Sequence, residues 1–364
     1  MGNYTQKLSN MRSRRLGLDT INTLSKSASF VEAAAFTEAY ETRTKSEAIK
    51  YALGAMQPLE QKYTQISFQE GERVRSQLNT GLQSAGIPAT FEYQGSVPLN
   101  VHIRFASDID LLVLHDGFVT VDGAGPRASA YKTLPGNVLV NMLTLRRQCE
   151  QIIELKFPAV TVDKSGAKSI SLSGGSLQRK VDVVPSHWHD TATYQITRAK
   201  HDREVKILNQ DEYALIPNRP FLHMLRIEEK DLATNGGAKK AIRLLKNVKK
   251  DADSDIKLSS YDIASLVWYC DNDALNKPYY LELSLIAKIQ HHLQVLVDNP
   301  DITNKLDVPD LSRKIIDSQE KFLALQHLKM EVDELATDIA RELKPLYYNS
   351  YEAVRKSLME AHVF

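Results

Sequence analysis

Two aspartates one residue apart, Asp108 and Asp110, open the run Ile109-Asp110-Leu111-Leu112-Val113, which has the composition of a buried strand. Side chains alternate across a strand, so these two carboxylates share a face. Side by side they repel each other unless a cation lies between them. A hard, oxygen-seeking divalent ion is the natural partner, and Mg2+ is the usual one where phosphates supply the remaining ligands. Gly95–Ser96 precede the pair, separated from it by a short basic loop. A Gly–Ser turn can lay backbone N–H groups and a hydroxyl against phosphate oxygens.

A third aspartate, Asp182, lies between apolar neighbours in Arg179-Lys180-Val181-Asp182-Val183-Val184-Pro185. Burying an unpaired charge costs roughly several kcal/mol, so a cation belongs near it. The simplest arrangement sets this strand beside the first one and completes a carboxylate triad. Three carboxylates suit two Mg2+ ions (Mn2+ being the alternative) about 4 Å apart, aligning an attacking 3′-hydroxyl with a triphosphate. One ion lowers the pKa of the hydroxyl; the other bridges the phosphates and stabilises the leaving pyrophosphate.

The elements that must position these groups follow from periodicity. Helical spacing of Ala52, Met56, Leu59, Tyr63, Ile66, Val74, Leu78 and Leu82 predicts one long helix over 44–85, stopped by Gly86-Ile87-Pro88. Residues 89–94 read as a strand, and the Asp108–Asp110 strand runs to about His115. Residues 116–137 carry too much Gly and Pro for regular structure and read as a loop. A helix follows over 138–157, then strands over 159–162, 169–172 and 179–184, with strand-like runs at 194–197 and 203–208. From Phe221 the chain is mostly helical, interrupted at Asn235-Gly236-Gly237, with helices at 238–250, 259–269, 279–297, 315–342 and 349–362. The expectation is an α+β protein with a division at 220/221. Residues 1–220 form a mixed-sheet lobe entered by the long helix, and 221–364 a helical lobe.

Within the second half, Lys239, Lys240, Arg243, Lys246, Lys249 and Lys250 make a basic helix whose cations read mostly as a solvated face. Lys246 shares a face with Arg243 and could supply a cation to a triphosphate. Ser259, Ser260 and Tyr261 stand at a helix start, where free N–H groups and hydroxyls suit an anion. His187-Trp188-His189 and His291–His292 read as structural. Residues 27–36 carry caps and helix formers without an assignable function.

Apolar content of 43%, charged content of 25% and a net charge of +1 are those of an ordinary soluble protein. They carry no global signature of nucleic-acid or membrane binding. The two cysteines, Cys149 and Cys270, argue against a disulfide framework or zinc cluster and read as core residues of a cytoplasmic protein. No run of about twenty apolar residues suggests a membrane span. Gln6 stands where an N-myristoylation start at Gly2 wants Ser or Thr.

Gly–Ser, then Asp-x-Asp on a strand, then the Val-Asp-Val-Val-Pro strand resembles the DNA polymerase β-like nucleotidyltransferases. The downstream Arg-Leu-Leu-Lys-Asn-Val-Lys-Lys and Ser-Ser-Tyr-Asp-Ile-Ala-Ser-Leu-Val-Trp-Tyr look most like the bacterial cGAS/DncV-like branch, over roughly residues 50–300. The resemblance implies a two-lobed fold, mixed sheet plus helical lobe. It implies a synthase that joins nucleoside triphosphates, ATP among them, into a cyclic di- or trinucleotide messenger of bacterial antiphage defence. Asp108, Asp110 and Asp182 would hold Mg2+, Gly95 and Ser96 would grip the triphosphate, Lys246 and Ser260 would touch phosphate, and Tyr261 would stack on a base. It further implies a monomer with no DNA requirement, served by regulatory proteins of the same operon. The alternatives are a linear RNA- or protein-directed nucleotidyltransferase and a non-catalytic nucleotide-binding regulator. Where family members often carry Gly–Thr after the Gly–Ser turn, this chain has Leu99–Asn100.

Overall fold

A computed structural model describes residues 3–17, 37–104, 107–345, 348 and 350–364. The helix expected over 27–36 lies outside the described residues. The chain forms two compact units: Glu60–Leu99 with Ser107–Arg226, and Met1–Leu59 with Asn100–Ala106 and Ile227–Phe364. The boundary expected at 220/221 is therefore too simple, because the segments before Leu59 and at 100–106 pack with the helical second half.

The first of these units is built on a sheet of β1 (Ala89–Gln94), β2 (Ile109–Val121), β3 (Thr161–Asp163), β4 (Ile170–Ser173), β5 (Val181–Asp190), β6 (Glu204–Asn209) and β7 (Ala214–Asn218). The order is β1-β2-β5-β4-β3, with β6 also on β5 and β7 on β6. β2 and β5 run parallel at its centre; the other pairs are antiparallel. Central parallel strands are covered on both faces, which explains their near-continuous apolar sequence. Ile109, Leu111, Val113, Val181 and Val183 pack on Val74, Leu78 and Leu82 of the helix Gln61–Ser84 and on Met142, Leu145, Cys149 and Ile153 of the helix Val138–Lys156. Leu112, Leu114 and Val184 face the other way, onto Trp188, Val205, Ile207 and Phe221. Pro185 offers no N–H to a ladder. It falls where β5 changes partner along one edge, from β4 at Val181–Val183 to β6 at Ser186–His189.

Several elements differ from the sequence reading. The helix expected over 44–85 is two helices, Glu47–Met56 and Gln61–Ser84, because Pro58 disfavours helical geometry in the residue before it, and Gln57 is extended at ψ 145°. β2 continues to Val121 through an irregularity between His115 and Thr120, so the loop is shorter than 116–137. Residues 192–197 are a helix rather than a strand: Thr191 caps it by accepting from the Tyr194 N–H. β7 has no counterpart in the sequence reading.

In the other unit the helix Glu47–Met56 is held at both ends. The Glu342 carboxylate accepts from the Ala48 and Ile49 N–H groups. Arg15 donates to the Gly54 and Gln57 carbonyls while pairing with Glu38. These contacts satisfy donors and acceptors that a helix leaves open at its ends. Gly54 lacks a Cβ where one would lie 2.6 Å from Met11 and Tyr40 atoms. Arg14 and Asp251 form a buried pair joined by the Tyr51 hydroxyl.

The basic helix, observed over Gly237–Lys250, is not a solvated face. Arg243 and Lys246 are buried, and Lys239 and Lys240 pair with Glu228 and Glu282. Arg243 donates to the Met56 and Asn100 carbonyls, and burial pulls its pKa down to about 10. Cys149 and Cys270 are buried thiols, as expected. Among the described residues, no helix is long and apolar enough to cross a membrane.

His187 is fully buried in β5, its Nδ1–H donating to the Trp188 carbonyl and its Nε2 without a hydrogen-bond partner. Burial holds its pKa down to about 4, against 6.5 when exposed. As pH falls through 6.5 the unfolded chain takes up a proton that the native chain refuses. Stability present above that pH is therefore lost progressively down to about pH 4. The expected contribution is roughly 3 kcal/mol over that window. Denaturant unfolding of wild type and His187→Phe between pH 7 and 4 measures it. The variant should show the shallower pH dependence, and identical slopes would refute the assignment.

Candidate active site

The parallel register of β2 and β5 places Asp110 directly opposite Asp182. Both share a sheet face with Leu112 and Val184, away from the helices Gln61–Ser84 and Val138–Lys156. One step back along both strands on that face, the next facing positions are Asp108 and Lys180. The Lys180 carbonyl accepts the Ile109 N–H at 3.2 Å, which continues the ladder to that point. Four ionisable side chains thus emerge on one face at the N-terminal end of the two central strands.

Lys180 Nζ donates to Asp108 Oδ2 at 2.6 Å and lies 3.4 Å from Asp182 Oδ1. Partial burial pulls the ammonium down, but the hydrogen bond to Asp108 and the charges of Asp182 and Asp108 outweigh it and hold its pKa above the ordinary value. Asp182 Oδ1 is buried and has no hydrogen-bond partner. A buried carboxylate oxygen without a hydrogen bond is a costly feature that cation coordination would relieve. An all-carboxylate donor set of this kind fits a hard divalent ion. Among the described residues, no three acidic, histidine or cysteine side chains already converge as a ready-made metal cluster. The oxygen that Asp108 would offer is turned to Lys180 instead.

Gly95 ends β1 with φ at +84°, and a Cβ there would lie 2.5 Å from Asp110 Oδ2. Both facts demand glycine: the left-handed backbone and the approach of a carboxylate. Gln94, its neighbour, pairs with Asp110 across the β1–β2 ladder, so the turn and the carboxylate are held in one register. Ser96 is half-buried in the turn that follows.

Gly95, Ser96, Asp108, Asp110 and Asp182 all belong to the sheet-bearing unit, whereas Lys246, Ser260 and Tyr261 belong to the other. Within that other unit, Lys246 and Ser260 line one pocket of about 470 Å3 together with Lys249, Lys250, Asp253 and Asp255. Lys246 Nζ donates to the Val101 carbonyl at 2.8 Å. Ser259 is the cap, in a box with Asp262, and Ser260 is the exposed first residue of the helix Ser260–Trp268. Tyr261 is less available than the sequence suggests. Its hydroxyl donates to the Asp310 carboxylate, and the Arg313 guanidinium lies 5.5 Å from its ring centroid. Burial, then the Asp310 charge and hydrogen bond, push its phenol well up.

Lys180 is the residue that sequence reasoning missed. The signal was available, since a side chain two positions before Asp182 on a strand shares its face. Arg243 was noticed only as the neighbour of Lys246; its bonds to Met56 and Asn100 join segments far apart in sequence.

A family model described as the cGAS/DncV-like nucleotidyltransferase C-terminal helical domain matches residues 226–334. Over 311 residues the chain is 40% identical to the cyclic dinucleotide synthase CdnE of Yersinia aleksiciae, spanning 84% of this chain and 81% of that protein. The solved STING-associated CdnE c-di-GMP synthase from Capnocytophaga granulosa aligns with a TM-score of 0.73 at 25% identity, covering 94% of this chain and 100% of that one. The Rhodothermus marinus CdnE c-UMP-AMP synthase, solved with Apcpp and Upnpp, shares the fold, with a TM-score of 0.61 at 15% identity over 83% of this chain and 97% of its own. Kinship at this identity and coverage, on a sheet that brings Asp110 and Asp182 face to face, shows that the chain belongs to the cGAS/DncV-like nucleotidyltransferase family.

Proposed function

We propose that this chain is a cyclic dinucleotide synthase that makes a second messenger for bacterial antiphage signalling. Each of two nucleoside triphosphates gives up pyrophosphate as its α-phosphorus is attacked by the other's ribose hydroxyl, so two triphosphates yield one ring and two pyrophosphates. The observation that carries this reading is the Asp110–Asp182 register with Asp108 on the same face, in a chain 40% identical to a cyclic dinucleotide synthase. The cytoplasm, where nucleoside triphosphates are made, is the compartment this reading assigns.

In this reading Asp108, Asp110 and Asp182 hold Mg2+ or Mn2+. When bound, such ions acidify the attacking hydroxyl and offset the charge that develops on the leaving pyrophosphate. The chain's own groups do the rest. Gly95 lets the backbone pass close to Asp110, so a triphosphate can lie along the turn without a side chain in its way. Ser96 offers it a hydroxyl. Lys246 and Ser260 keep the phosphate role that family resemblance gives them, in a pocket whose lining sets Lys246, Lys249 and Lys250 against Asp253 and Asp255. Tyr261, with its hydroxyl tied to Asp310, can offer a base only its ring.

Incubation with labelled nucleoside triphosphates and Mg2+, followed by phosphatase and mass spectrometry, tests the activity. A phosphatase-resistant product with the mass of a cyclic dinucleotide is expected. A linear tail or an adenylylated protein would favour the other nucleotidyltransferase chemistry. Asp108→Asn and Asp182→Asn should each lower the rate on the order of a hundredfold or more, about 3 kcal/mol of barrier, with unchanged far-UV circular dichroism. Retained activity in either would remove its proposed role.

Gly95→Ala separates the turn from general stability. Left-handed backbone costs alanine about 1–2 kcal/mol, enough to lower the melting temperature by a few degrees. The crowding of Asp110 should lower kcat by at least about tenfold at temperatures where the variant is fully folded. Wild-type kcat in a folded Gly95→Ala variant would show that the close approach has no catalytic consequence.

A further inference from the structure

Lys180 sits where a cation is wanted. Its ammonium bonds Asp108 Oδ2 at 2.6 Å and approaches Asp182 Oδ1, the buried oxygen that lacks a hydrogen bond, at 3.4 Å. Its backbone is held firmly. The carbonyl accepts from Ile109 in the β2–β5 ladder. The preceding loop is anchored to the helix Gln61–Ser84, where Glu70 accepts the Gln178 N–H and Arg73 donates to the Ser176 carbonyl. Gly175 passes so close to Ala159 that a Cβ would lie 1.9 Å from its carbonyl oxygen. The stem of Lys180 is therefore placed by the fold, while its side chain remains 40% exposed and has solvent to move into.

An ammonium and a divalent ion cannot occupy the same carboxylate oxygens, and two cations that close repel each other. We infer that Lys180 is a built-in counter-cation, a positioning residue that pairs the Asp108 and Asp182 carboxylates before substrate arrives and is exchanged for a metal ion when a triphosphate binds. The inference rests on the metal-binding reading of the three aspartates. Without nucleotide, the metal must expel the ammonium into water and binds weakly. With nucleotide, the displaced ammonium has phosphate oxygens to turn to, and the obstacle largely disappears. Cation loading is thereby tied to substrate loading.

Mn2+ titration of the full chain, followed by the electron paramagnetic resonance signal of the free ion, tests this with and without a non-hydrolysable triphosphate analogue. Asp182→Asn identifies which binding belongs to the site. Without analogue, Lys180→Met should bind Mn2+ roughly tenfold more tightly than wild type, about 1.4 kcal/mol, while Lys180→Arg should remain close to wild type. With saturating analogue the difference should shrink to less than about threefold. Should Lys180→Met fail to fold, Lys180→Gln can still donate to Asp108 and carries the same expectation. Asp182-dependent binding that does not tighten in the folded neutral variants, or that tightens equally with and without analogue, would overturn the exchange. Wild-type binding indistinguishable from Asp182→Asn in both conditions would instead sink the metal reading, and the inference with it.

Discussion

The parallel pairing of β2 with β5 is the constraint on which the rest of the site depends. It sets Asp110 against Asp182 and, one step back, Asp108 against Lys180. Because side chains alternate along a strand, slipping either strand by one residue would send its carboxylate to the helix-covered face, among Leu111 and Val183. At the N-terminal ends of both strands, the residues that fill the core on one face, Ile109, Leu111, Val181 and Val183, alternate with the carboxylates presented on the other. Register here is enforced by hydrophobic burial, and the chemistry inherits its precision from the core.

Each end of that arrangement is reinforced locally. β1 pairs with β2 so that Gln94 meets Asp110, and Gly95 turns away at once in a conformation that suits glycine. On the β5 side, Glu70 and Arg73 of the helix Gln61–Ser84 hold the loop that delivers Lys180. That helix therefore contributes twice, by covering the sheet and by fixing the approach to β5. In the other unit, Arg243 and Lys246 are buried against the carbonyls of Asn100 and Val101. Asn100 itself sits at a φ of +54°, which Asn tolerates better than most residues. The carbonyl of this left-handed asparagine accepts from the Arg243 guanidinium.

Much of the site was legible because it obeys local rules. The Asp-x-Asp spacing on an apolar run, and a lone Asp between valines, announce strand carboxylates with a shared face. What periodicity could not supply was partnership across the chain. Nothing near Arg243 says that it will donate to Met56 and Asn100, so a helix rich in lysine looked like a solvated face. Tyr261 looked free to stack because Asp310, its hydroxyl's acceptor, lies forty-nine residues away. Residues 192–197 have strand-like composition, yet the Thr191 cap decides for a helix. Pro58 was a readable breaker that the continuous apolar stripe on both sides disguised. Division into units failed for a related reason: a cut at one point in sequence cannot describe a unit assembled from segments before Leu59, at 100–106 and after Ile227.

On the reading proposed above, the face shared by Asp108, Asp110 and Asp182 is a cation site closed by Lys180 until substrate arrives. Anomalous diffraction from crystals grown with Mn2+ and a non-hydrolysable triphosphate addresses it most directly. Manganese peaks are expected within coordination distance of the Asp108, Asp110 and Asp182 oxygens, with the Lys180 ammonium withdrawn from Asp108. Manganese bound elsewhere, with Lys180 still bridging Asp108 and Asp182 beside a bound triphosphate, would contradict it.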